Sequence, residues 1–497
     1  MEKELLLEAF PAQTRLAVVE DGSLCELYME RKGREKLVGN IYMGRVMNVL
    51  PGMEAAFVDI GLERNGFLYA GDIQVDRRSL GEEGQALEEA LKELSIKKLV
   101  RPGQQLPVQV VKEPGGAKGP RLSCNITLPG RLVVLLPTVG YVGVSRRIES
   151  EEERSRLRQL AEGLRPQGMG FIVRTAAQGA GEEDLAKDAA YLLRLWDSIC
   201  QQARCAPAPA LLHRDLGLVN RAVRDMLLPE VKRLAVEGQE AYEIARRHAA
   251  MISQELAQKV ELYRAETPLM HLYRVEAQME KALERRVWLP SGGYLVFDYA
   301  EALTVVDVNT GKFVGKHSLS DTVFRINCEA VVELVRQLRL RDIGGIIVID
   351  FIDMDEEEHR EALLQLLRKE LKKDRTKTNL VGLTGLGLVE MTRKKVHQPI
   401  HTLVKQPCPL CKGTGLVFTP QSIAFSALDQ LRAVAQGAGA WLIQCHPDVA
   451  GQLLLTGAPP GVKAYVKPEP DRERDSFDLS PVLEHQLPPK TRPLPPQ

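Results

Sequence analysis

The chain has 497 residues, more than one hydrophobic core ordinarily spans, so three or more domains are expected. Its 66 Lys plus Arg are matched by 66 Asp plus Glu, which argues against a general polyanion binder: a nucleic-acid surface would have to concentrate its basic residues locally. There is no run of eighteen apolar residues and no basic-then-apolar leader, so neither a membrane span nor a signal peptide is expected, and the protein is placed in the cytoplasm.

Thr14-Arg-Leu-Ala-Val-Val-Glu20 and Leu24-Cys-Glu-Leu-Tyr28 flank an Asp21-Gly22 turn and predict a hairpin. From Val38 short strands follow closely, with glycines between them, as in a small barrel. Residues 74–98 are polar and read as a loop or short helix inserted in that barrel. A second strand-rich unit runs from Arg131 to Thr175, then a helix from Glu182 to about Arg204. Residues 218–282 read as mostly helical. From Gly293 the pattern turns α/β: strands at 294–297, 302–308 and 344–351 alternate with amphipathic helices from Ser320 to Leu340 and from Glu356 to Lys373. Beyond Lys467 proline and charge predict disorder.

The chemistry concentrates in the α/β region. In Val305-Val-Asp-Val-Asn-Thr-Gly311, period-two alternation puts Asp307 and Asn309 on one strand face and Val306 and Val308 on the other. Such hard oxygen donors suit a magnesium ion that keeps several waters. Asp350 ends the apolar strand Ile346-Ile-Val-Ile-Asp350, and strand ends are where open α/β sheets bind ligands. Turn and cap roles are the alternative. Asp353, three residues before Glu356, is assigned to a capping box and Asp350 to the metal.

In the barrel, Phe57 and Phe67 are candidate stacking platforms for a single strand, and Lys118, in a Gly-rich loop, a phosphate contact. Burial in a small core is the competing role for each Phe. Arg174 and Thr175 end a strand and could enclose a terminal phosphate, or simply stand at an exposed strand end. Basic clusters lie at 31–36, 372–377 and 393–395, and each would also serve as a solvated surface. Of eight cysteines only Cys408 and Cys411, in Cys-Pro-Leu-Cys-Lys-Gly-Thr-Gly, have ligand spacing, and nothing suggests a disulfide framework. The pair supplies two of the four ligands that structural zinc takes; His397 or His401 could complete the set within one chain.

Taken together, Ala55-Ala-Phe-Val-Asp-Ile-Gly61 with Asn65-Gly-Phe-Leu68, Ile172-Val-Arg-Thr175, Val306-Asp-Val-Asn309, Ile349-Asp-Phe-Ile-Asp-Met354, Gly387-Leu-Val-Glu-Met391 and the Cys408 motif resemble the bacterial ribonuclease E/G family, in family order up to about residue 420. In length the chain resembles the ribonuclease G branch, without the long C-terminal arm of ribonuclease E. The resemblance implies a multidomain α/β (α+β) chain. Its parts would be an RNase H-like fold (1–37 and 213–282) split by an S1-type OB barrel (38–125) and a 5′ sensor (126–212). A DNase-I-like catalytic domain (283–400), a zinc link (401–417), a small C-terminal domain (418–466) and a disordered tail (467–497) would follow. It implies Asp307 and Asp350 as magnesium ligands with Asn309 in support. Phe57, Phe67 and Lys118 would grip RNA, and Arg174 with Thr175 would bind a 5′-monophosphate. Cys408 and Cys411 would be half of a zinc site shared between two subunits, making a homodimer or higher oligomer. Where the family usually has Arg near the active site, this chain has Lys377, which cannot grip a phosphate bidentately.

The implied activity is magnesium-dependent endoribonucleolytic cleavage of single-stranded, A/U-rich RNA in messenger RNA decay and ribosomal RNA processing. It would favour 5′-monophosphorylated substrates and leave 5′-phosphate and 3′-hydroxyl ends. The rivals are a noncatalytic RNA-binding protein, which would not need the Asp307, Asn309 and Asp350 set, and a DNA nuclease.

Overall fold

A computed structural model describes residues 2–33, 36–73, 96–114, 118–311, 319–396, 398–435 and 439–496. They divide into two compact units, Met1–His401 and Thr402–Gln497. The first unit opens with the antiparallel strands Lys3–Phe10 (β1), Gln13–Glu20 (β2) and Ser23–Arg31 (β3). The predicted Asp21-Gly22 turn is present, both residues having positive φ (48° and 78°).

Next comes the barrel: Ile41–Leu50 (β4), Ala55–Asp59 (β5), Gly66–Tyr69 (β6), Gln105–Lys112 (β7) and Arg121–Ser123 (β8). The strands pair in the order β4-β5-β6-β8-β7, and β7 pairs back to β4, so the sheet closes on itself as in an OB-like barrel. Val46, Val58, Leu68, Val108, Val110 and Leu122 fill it. The interior is tight: a Cβ on Gly66 would lie 2.4 Å from Leu122. The inserted stretch expected at 74–98 lies outside the described residues up to residue 95. Its end, Ile96–Leu99, is one helical turn, and Ile96 joins the barrel core.

A four-stranded sheet follows, made of Leu128–Pro129 (β9), Val133–Leu136 (β10), Val142–Val144 (β11) and Gly170–Val173 (β12) in the order β11-β12-β10-β9. It packs against the helices Glu151–Leu164 (α1) and Glu182–Cys205 (α2). The second is the predicted helix. The first interrupts what the sequence reads as strand-rich, and Ser150 caps it by accepting from the Glu153 amide. Ala210–His213 (β13) then pairs with β4.

The segment 218–282 is mostly helical, as expected, but it also holds two strands that the sequence did not show. Val231–Glu237 (β14) and Val260–Leu262 (β15), on either side of helix Gln239–Ile252 (α3), extend the first sheet in the order β15-β14-β1-β2-β3. Seven residues of mixed polarity do not separate a strand from a helix by period. Parallel pairing of β14 with β1, far away in sequence, decides it.

The third large sheet contains Arg286–Trp288 (β16), Tyr294–Tyr299 (β17), Leu303–Asn309 (β18), Gly345–Asp350 (β19), Thr378–Leu383 (β20) and Leu388–Arg393 (β21). Its order is β16-β17-β18-β19-β21-β20, with β18 and β19 parallel. Leu295, Phe297, Val306, Val308, Ile347 and Ile349 point to one side. There they pack on Leu319–Leu340 (α4) and Glu357–Leu371 (α5). One face is thus buried under two helices, and the opposite face carries the exposed residues of the same strands.

The second unit consists of Pro420–Val434 (α6), Ala440–Cys445 (β22), Pro447–Thr456 (α7), Lys463–Pro468 (β23), Phe477–Val482 (β24) and Arg492–Pro493 (β25). Its sheet order is β24-β22-β23-β25. The region 467–497 is therefore not a disordered tail: it supplies both edge strands. Proline lacks an N–H and is tolerated at sheet edges, while Phe477, Leu479 and Leu494 reach the core. Among the described residues no helix is long and apolar enough to cross a membrane.

Candidate active site

The candidate site lies on the open face of the third sheet. β18 and β19 run parallel with Asp307 opposite Asp350, so two carboxylates stand side by side where the strands end. Both are exposed, while Val306, Val308 and Ile349 between them are buried. Asn309, on the same face, donates from Nδ2 to Asp307 Oδ2 at 2.7 Å, which fixes the carboxylate. Partial burial, and then the charges of Asp307 and Asp353, raise the Asp350 carboxyl above the ordinary carboxylate range. Crowded acids of this kind favour a cation between them, and two carboxylates are a fitting donor set for a hard divalent ion that keeps water ligands. Among the described residues there is no cluster of three His, Cys, Asp or Glu side chains that could hold an ion.

Asp353 does not cap the following helix. The N-cap of α5 is Glu356, whose carboxylate accepts from Ser320 Oγ at 2.7 Å and makes no capping bond. Asp353 instead lies in the loop after β19, near Gly387 and close enough to Asp350 to repel it. That loop is clamped by Asn327 of α4, a residue the sequence reading missed. Its Nδ2 donates to the Ile352 carbonyl at 2.8 Å, its Oδ1 accepts from the Ile352 amide at 3.2 Å, and it is fully buried.

Lys377 is not brought to the acids. β20 is antiparallel to β21, which is antiparallel to β19, so Thr378 aligns through Arg393 with Gly345, at the other end of β19 from Asp350. Five strand positions correspond to about 17 Å.

On the barrel, Phe57 and Phe67 are direct partners on β5 and β6, with rings edge to face at 6.1 Å. Both are half-exposed on the outer surface, not in the core. The row continues across the sheet: Phe67 aligns with Arg121, and Arg121 with Lys112. Arg121 is braced by Asp72 at 2.8 Å, and Lys112 is exposed. The sequence reading missed both. Lys118, the cation it chose, is exposed just before Gly119, which packs on the Asn65 carbonyl at the barrel rim.

Arg174 follows β12. Its guanidinium pairs with Asp225 at 2.7 Å and also donates to the Gly130 carbonyl. The neighbouring Thr175 hydroxyl is exposed and lies 3.0 Å from Ser145 Oγ. In the second unit, Cys408 and Cys411 occupy a tight turn: the Lys412 amide donates to the Cys408 carbonyl at 2.8 Å, and Lys412, Gly413 and Gly415 all have positive φ. The amides of Gly415 and Gly413 hold the Cys411 thiol below the ordinary thiol range, as a metal-binding thiolate requires. Of the two histidines that could complete this pair, His401 packs on the Tyr299 ring at 4.3 Å within the first unit, and His397 lies outside the described residues.

The sequence profile of the Ribonuclease E/G family matches residues 127–396, which include both aspartates. This chain belongs to the ribonuclease E/G family. Ribonuclease G of Escherichia coli K12 is 45% identical over 456 residues, covering 91% of this chain and 92% of that protein. Ribonuclease G of Haemophilus influenzae is 41% identical over 487 residues, covering 96% and 99%. Ribonuclease E of Nostoc sp. is 41% identical over 415 residues, but these make up only 58% of that longer protein. As a ribonuclease E/G family member the chain is an endoribonuclease acting in RNA processing.

Proposed function

We propose that this endoribonuclease is magnesium-dependent and cuts single-stranded, A/U-rich RNA in the cytoplasm, in messenger RNA decay and ribosomal RNA maturation. It leaves 5′-phosphate and 3′-hydroxyl ends and prefers 5′-monophosphorylated substrates. The observation that carries this reading is the alignment of Asp307 with Asp350 on the face of the third sheet opposite α4 and α5. Asp307 and Asp350 would hold a divalent ion there, and when bound it would supply an activated water and positive charge against the phosphodiester. Asn309 orients Asp307, and Asn327 fixes the loop after Asp350. The row Phe57, Phe67, Arg121 and Lys112, with Lys118 at the rim, grips the strand by stacking and phosphate contacts. Arg174 and Thr175 receive the 5′-phosphate. By resemblance, the first and third large sheets are the RNase H-like and DNase-I-like parts, and Cys408 with Cys411 forms half of a zinc site shared in a homodimer.

Asp307→Asn and Asp350→Asn test the central claim. Each should abolish magnesium-dependent cleavage of a short single-stranded RNA while gel-shift binding persists, because the barrel row is a separate element. Near-normal cleavage by either variant would remove that residue as a ligand. Equal cleavage of single-stranded DNA by the wild type would overturn the RNA specificity.

A further inference from the structure

The open face of the third sheet carries more than the acids. Direct pairing puts Arg286 and Trp288 of β16, Tyr294 and Val296 of β17, and Asp307 and Asn309 of β18 on one side. Tyr294 is the register partner of Asn309 on one flank and of Trp288 on the other. The Trp288 and Tyr294 rings meet edge to face at 5.2 Å. The Arg286 guanidinium sits 4.4 Å from the Tyr294 ring centre and 5.7 Å from that of Trp288. Trp288 is nevertheless 59% exposed. An aromatic pair that served only to hold the edge hairpin would gain by burying its indole. Here the indole is left open to solvent beside a cation, on the face that carries the acids.

We propose that Trp288, Tyr294 and Arg286 form a base-stacking subsite for single-stranded RNA within two nucleotides of the scissile bond. The indole takes a base and Arg286 the adjoining phosphate. Neighbouring strands are about 4.8 Å apart, which puts Tyr294 roughly 7 Å and Trp288 roughly 12 Å across the sheet from the midpoint between Asp307 and Asp350. Exposed aromatics on a sheet, with a basic group alongside, suit single strands because every base offers a stacking face. The subsite is separate from the barrel row. It fixes which phosphodiester reaches the acids, whereas the barrel grips the strand at a distance. The inference rests on the reading of Asp307 and Asp350 as the hydrolytic centre.

The test uses ten-nucleotide single-stranded RNAs, each with one abasic position moved stepwise along the strand, cleaved with magnesium. The wild type should lose about tenfold in kcat/KM when the abasic position falls at one site within two nucleotides of the cut. Trp288→Ala should be about tenfold slower on the intact strand and have no such sensitive position. Trp288→Phe should restore it. If Trp288→Ala keeps the wild-type sensitivity, or slows every substrate equally while the sensitive position remains, the subsite is wrong. Asp307→Asn is read separately, as loss of cleavage of every substrate, so the two claims fail differently.

Discussion

Asn327 shows how one buried side chain can set the geometry of a surface site. Its two hydrogen bonds to Ile352 fix the backbone between Asp350 and Asp353. Asn327→Leu keeps similar volume but leaves a buried amide and carbonyl without partners, at about 1–3 kcal/mol for each unsatisfied group. A loss of about 2–3 kcal/mol in urea unfolding is expected, with kcat down more than tenfold and KM for RNA little changed. Unchanged kcat would mean the loop is held by other contacts. Arg174→Ala should equalise cleavage of 5′-monophosphate and 5′-hydroxyl substrates without slowing the hydroxyl form, because a guanidinium gains much from a dianion and little from a hydroxyl. A preserved rate ratio would end the sensor assignment. The shared strand face of Asp307 and Asn309 and the strand end at Asp350 were legible in the sequence because alternation and a strand end are local signals. Asn327 was not, since a polar residue in an amphipathic helix reads as surface and its partner lies 25 residues on. Lys112 was hidden by a backbone irregularity. Strict alternation after Val108 and Val110 would turn it into the barrel, but the register shifts between Val110 and Lys112 and brings it out to Arg121.

Between elements, the most consequential contact joins α4 to the first sheet through charge. Arg339 donates to Glu20 at 2.8 and 2.9 Å and to Glu26 at 2.7 and 3.1 Å, and all three are buried. Burial alone would raise the Glu20 carboxyl, but the Arg339 fork and then Lys3 hold it at about 2. A folded-state value below the ordinary carboxylate range stabilises the protein above that range, and the stability is lost as pH falls through the range toward 2. The shift corresponds to roughly 3 kcal/mol. Arg339→Leu leaves two carboxylates buried together, so a loss of about 3–5 kcal/mol at pH 7 is expected, with the variant gaining stability relative to wild type on acidification. Urea midpoints from pH 7 to pH 3 would show the two curves converging; parallel curves would contradict the assignment. The sequence showed α4 and α5 well because their amphipathic periods are long. It did not show β14, β24 or β25, which are strands by virtue of their partners: β1 beside β14, β22 beside β24, and β23 beside β25. Pairing across such sequence distances leaves no local period to read, and the prolines of the last two suggest disorder until their edge positions are known.

For the molecule as a whole, the open question of assembly turns on ligand arithmetic. The turn at Cys408 and Cys411 presents two thiols, whereas a closed structural zinc site takes four ligands. His401, one candidate for completing the set within a chain, is packed on Tyr299. Around the turn, Leu410, Leu416, Val417 and Phe418 are exposed, an apolar group of the kind that a second copy would cover. Two copies related by a twofold axis supply four thiolates of identical geometry, and twofold dimers are the commonest assemblies. The turn amides of Gly415 and Gly413 hold the Cys411 thiol below its ordinary value, the direction that favours a metal-binding thiolate. Metal binding would then contribute directly to association, so the expected result is one zinc per two chains and a dimer mass in solution. Chelation, or Cys408→Ser, should shift the mass toward the monomer, and added zinc should reverse only the former. Cleavage of a short 5′-hydroxyl RNA should fall less than the dimer fraction does, since Asp307 and Asp350 both come from one chain. One zinc per chain in a protein that stays monomeric would establish ligation within the chain instead and remove the shared site.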